Sequence, residues 1–125
     1  NPADLWPAVD LGARQAHVGG LSAALSDPGV DQVVGILLAV PNAQFDGFGE
    51  AFAELKETYP EKPLQLVMQG GLREEWTCKL DELDIPIYTS VRPAIRTAAA
   101  LARYAAERDR RTCISDIKQR ERLGR

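Results

Sequence analysis

Apolar positions along the chain fall into two alternating rhythms. Val33-Val34-Gly35-Ile36-Leu37-Leu38-Ala39-Val40 runs for eight residues without a polar side chain. A run this short and continuous predicts a parallel strand covered on both faces, placed centrally in its sheet. Leu64-Gln65-Leu66-Val67-Met68 follows Pro63 and stops at Gly70-Gly71, a second strand with its punctuation. Ile85-Pro86-Ile87-Tyr88 predicts a third, short strand. Pro86 has no N–H for a ladder, so this strand belongs at an edge or pairs only beyond the proline. Asp4-Leu5-Trp6 suggests the stub of a fourth.

The intervening segments carry helical spacing. Phe45, Phe48, Phe52 and Leu55 recur at three- and four-residue steps and give one apolar face from about Ala43 to Tyr59. Leu72, Trp76, Leu80 and Leu83 do the same for the next segment. Val18, Leu21 and Leu25 line one side of Arg14 to Ser26, which ends at Asp27-Pro28-Gly29. Gly19-Gly20 inside it weakens that helix by up to about 1 kcal/mol each relative to alanine. Ser90 is a plausible cap for a long alanine-rich helix that tolerates Pro93 in its first turn. That helix is expected to bury Ile95, Ala98, Leu101, Ala102 and Ala105.

Strand and helix thus alternate, which predicts an α/β domain. The expected form is a three-layer, flavodoxin-like (doubly wound) parallel sheet of about four strands with helices on both faces. Residues 1–105 form that domain, and 106–125 a charged helical extension or linker. Ligands of such sheets sit beyond the carboxyl ends of the strands. Any site is then confined to the loops around Leu5–Asp10, Pro41–Asp46, Gln69–Leu72 and Thr89–Arg92.

Composition narrows the chemistry. With 125 residues the chain has the size of one domain, and 45% hydrophobic with 26% charged residues is ordinary for a globular one. No apolar run approaches the ~18–20 residues of a membrane span. Asn1-Pro2-Ala3-Asp4 lacks the basic start and apolar stretch of a secretory signal, so the expectation is a cytoplasmic protein. Cys78 and Cys113 are too few for a disulfide framework, and one histidine is too few for a His-rich metal site. The net charge of −3 hides an asymmetry: residues 1–102 hold 7 basic and 14 acidic side chains, residues 103–125 hold 8 and 4. An acidic body repels nucleic acid, and the tail mixes its signs and has no aromatic after Tyr104 for a base to stack on. Neither nucleic acid nor membrane is expected as a partner.

The loops lack the common nucleotide signatures. No GxGxxG run or P-loop is present, and Val40, Met68 and Tyr88 occupy strand ends where a receiver domain would carry an aspartate. Gly70-Gly71 offers backbone to an anion, although a plain turn ending the strand is the favoured reading. Asn42, Ala43 and Gln44 stand where a helix would start after the apolar strand, and unpaired N–H groups there bind anions. Asn42 is also the residue type that simply caps a helix. Ser90 and Arg92 offer a hydroxyl and a guanidinium at a helix start, with a capped helix and a surface arginine as the plainer reading. His17 falls in mid-helix, away from every strand end, and Cys78 reads as a packing or boundary residue. Neither is expected to be a nucleophile, and the catalytic set of this chain is empty.

The ordered segments resemble a known family. Asn1-Pro2-Ala3-Asp4-Leu5, then Leu25-Ser26-Asp27-Pro28-Gly29-Val30-Asp31 and Val33–Val40, look like the opening of a succinyl-CoA-ligase-type flavodoxin domain. Lys62-Pro63, Gly70-Gly71, Leu83-Asp84-Ile85-Pro86-Ile87-Tyr88 and Arg92-Pro93-Ala94-Ile95 continue the likeness as far as about Tyr104. Such domains belong to the NDP-forming acyl-CoA synthetases, the acetate–CoA ligase (ADP-forming) group. The resemblance implies one domain of a multidomain ligase, inactive alone, with CoA-binding, phosphohistidine and ATP-grasp domains as partners. It also implies CoA, ATP/ADP and Mg for the parent enzyme and no cofactor in this domain, and it admits a homo-oligomer. The domain's part would be to present a helix N-terminus at Asn42, Ala43 and Gln44 to the partner's phosphohistidine. Here the sequence departs from the succinyl enzymes, whose glycine pair before the helix is replaced by Pro41-Asn42-Ala43. Trp6, Phe45 and Trp76 would supply apolar surface for docking other domains. The alternative is a non-catalytic assembly module in a fused or degenerate relative, such as a ligase-like protein acetyltransferase.

Overall fold

The computed structural model describes residues 3–5, 12–39 and 47–123 of the chain, without the side chains of 116–118 and 120–122. Among these residues the elements run α1 (Ala13–Ser26), β1 (Val33–Leu38), α2 (Phe48–Thr58), β2 (Leu64–Gln69), α3 (Arg73–Asp81), β3 (Ile87–Tyr88) and α4 (Val91–Leu123). The three strands form one parallel sheet in the order β1-β2-β3. The protein is therefore of the α/β class, as the alternating rhythm predicts. The chain divides into two compact units, Asn1–Ala94 and Ile95–Arg125.

In the first unit, alternation along the strands sorts side chains between the two sheet faces. Leu37 and Ala39 with Leu64, Leu66 and Met68 face a core completed by Leu21 and Leu25 of α1, Phe48, Phe52 and Leu55 of α2, and Trp76 and Leu80 of α3. Phe48 is the hub: its ring meets Phe52 edge-on at 5.3 Å between centroids and Trp76 at 6.4 Å. Trp76 is buried, so it is a core residue and not the docking surface its position suggested. At the far edge from the helix starts, Lys62 donates to the carbonyl of Asp27 (2.6 Å), and Lys56 to the carbonyl of Asp84 (2.6 Å).

Three strand expectations change. β2, not β1, is the central strand: it is paired on both sides and buried from Leu64 to Met68. β1 is not covered on both faces, since Ile36 and Leu38 are 57% and 46% exposed. An apolar run reports that a strand suits an interior, not which strand its neighbours will enclose. Third, Asp4 and Leu5 are not in a strand, and Trp6 lies outside the described residues. The Leu5 side chain instead fills the space beside Gly20 of α1. β3 behaves as its proline requires, pairing only at Ile87 and Tyr88.

The second unit is the continuation of α4. Ala98 is buried and Ala105 half-buried, but Ile95, Leu101 and Ala102, expected inside, are exposed. Further along, ion pairs replace burial: Glu107 bonds Arg111 at 3.0 Å and also Arg110, at i+4 and i+3 spacing. No described helix is long and apolar enough to cross a membrane.

Candidate functional site

In a parallel sheet every strand delivers its carboxyl end to the same edge, and every following helix starts there. The register aligns Leu38 with Gln69 and Val67 with Tyr88, so the carboxyl ends of all three strands lie along one side. The starts of α2, α3 and α4 come after those ends in the chain. The start of α1 joins them, because α1 runs back to the beginning of β1.

The turn after β2 is the most constrained part of this edge. Gly70 has φ +103°, and a Cβ built on it would collide with the carbonyl oxygen of Ala39. Ala39 N–H donates to the carbonyl of Gln69 (2.6 Å), and its own carbonyl accepts from Leu72 N–H (3.3 Å). Arg73 N–H closes the turn on the Gly70 carbonyl (3.3 Å). Gly70 thus acts as a structural turn that lets the chain pass close against the end of β1. Gly71 is exposed beside it, with open space where a side chain would stand.

The helix after β1 starts later than its apolar spacing suggests. α2 begins at Phe48, not near Ala43, and Gly47 before it has φ +75° and no side-chain cap. Among the described residues, the N–H groups that the helix leaves without an intrahelical acceptor at its start include those of Gly49 and Glu50. Asn42, Ala43 and Gln44, the expected helix start, lie outside the described residues.

Two side chains of α1 meet this helix start. Arg14 lays its guanidinium against Gly47: a Cβ there would lie 3.5 Å from Cζ and 3.6 Å from Nε. His17 sets its ring edge-on to Phe48 at 6.0 Å, so it lies beside the beginning of α2 and not remote from the strand ends. Its Nδ1 donates to the carbonyl of Ala13 (2.7 Å), which fixes the tautomer and turns Nε2 outward from α1's backbone. α1, like α2, has a glycine at its N-cap position, Gly12, with no side-chain cap, and the first turn of α1 holds no acidic residue.

Electrostatically the two helix starts differ: the first turn of α2 carries Glu50, whereas that of α1 carries Arg14 and no acidic residue. A helix start carries roughly half a positive charge, and a cation there is disfavoured by about 0.3–1 kcal/mol in exposed settings. Arg14 stands in the first turn of one helix and touches the residue before another. It forms no ion pair or hydrogen bond among the described residues. Such a corner is chemically suited to an anion, which would satisfy N–H donors and guanidinium together.

The remaining candidates lie along the same edge without converging. Ser90 and Arg92 are exposed at the start of α4, and no hydrogen bond or ion pair joins them to Gly70 or Gly71 among the described residues. Cys78 and Cys113 are free and exposed, so of the two readings of Cys78, packing or boundary, core packing falls away. No group of three or more His, Cys, Asp or Glu side chains comes together among the described residues. Arg14 is the residue that sequence reasoning missed. Its one signal was a cation in a first helical turn with no acidic residue three or four positions on. No family model, curated protein or solved structure matches the chain.

Proposed function

We propose that this chain is the succinyl-CoA-ligase-type, flavodoxin-like domain of a multidomain NDP-forming acyl-CoA synthetase. In this reading it offers a helix N-terminus to the phosphohistidine of a partner domain. The observation that carries the proposal is the start of α2 after Gly47, which has no side-chain cap and is flanked by the guanidinium of Arg14, itself without an ion pair among the described residues. The sequence likeness supplies the reaction class, and the parallel sheet is the architecture it requires. The finer layering, with about four strands and helices on both faces, is part of the same proposal.

The chain's own contribution would be electrostatic. The Gly49 and Glu50 N–H groups would donate to phosphoryl oxygens, and Arg14 would add a charge-assisted bond. These donors are fixed before the phosphoryl group arrives, so little reorganisation opposes its transfer. CoA, the nucleotide and Mg would be held by the CoA-binding and ATP-grasp partners. Phosphoryl transfer from ATP to a histidine and on to an acid is chemistry those domains would supply.

The test is phosphoenzyme formation in the assembled ligase, made by combining this chain with the domains encoded alongside it. Arg14→Glu should slow formation of acid-labile phosphate from ATP by at least ~10-fold, equivalent to ~1.4 kcal/mol in the barrier. Unchanged kinetics with the variant still incorporated would reduce the domain to scaffold. That outcome would favour the assembly-module reading, to which the exposed Ile36 and Leu38 of β1 already lend an apolar surface.

A further inference from the structure

We draw no further inference here: the strongest candidate, the outer face of β1 at Ile36 and Leu38, is an unpartnered apolar surface, and nothing in the structure shows what covers it.

Discussion

Gly70 and Gln65 show how differently single residues can be constrained within one strand and its turn. At Gly70, a positive φ and the carbonyl of Ala39 both exclude a side chain. Gly70→Ala should therefore lower unfolding free energy by about 2 kcal/mol or more in urea titration. A loss under about 0.5 kcal/mol would mean that the turn relaxes freely. Gln65 presents the opposite case: it is 2% exposed, and neither its Nε2 nor its Oε1 has a hydrogen-bond partner among the described residues. A buried amide left unpaired costs about 1–3 kcal/mol, so Gln65→Met, similar in length, should stabilise the fold by ~1 kcal/mol or more. Destabilisation by that amount would show that the amide is satisfied after all. At this scale the sequence was partly legible. Gly70 announced itself through the Gly-Gly pair after an apolar run. Arg14 did not, because its meaning depends on Gly47, thirty-three positions away in the chain and brought to it only by the packing of α1 on α2.

Among the elements, the helices were more legible than the order of the strands. Phe48, Phe52 and Leu55 recur at helical spacing and are all buried, because one face of a helix is decided by its own sequence. Where α2 starts was harder: Phe45 continues the apolar spacing upstream, yet Gly47, at φ +75°, stands at the N-cap position. Strand position is decided by neighbours, so β1, with the longer apolar run, is exposed in part, while β2, carrying Gln65, is enclosed. This gives a kinetic ordering that amide exchange can read. β2, paired on both sides, should exchange slowest and near the global unfolding limit, and the two-residue β3 should exchange orders of magnitude faster. Protection in β1 equal to that in β2 at every residue would contradict an open outer edge.

For the whole molecule, the α/β class was legible because alternating rhythms leave few architectures open. The candidate corner lies at the strand-end edge to which the alternating pattern directs attention, while the expected helix start at Asn42, Ala43 and Gln44 precedes the helix start at Phe48. The long C-terminal helix was foreseen, whereas the exposure of Ile95, Leu101 and Ala102 was not, since alanine-rich spacing suits both a buried and a solvated helix. The account rests on one claim, that the corner formed by Arg14 and the start of α2 receives a phosphoryl group. Nuclear magnetic resonance of the ¹⁵N-labelled chain titrated with inorganic phosphate tests it most directly, with chloride at matched ionic strength as control. The account predicts saturable shifts confined to the start of α2, at the amides of Gly49 and Glu50, and to Arg14 Nε–H, abolished by Arg14→Glu while the remaining spectrum is preserved. Shifts that are absent there, scattered over all basic side chains or reproduced by chloride would contradict it.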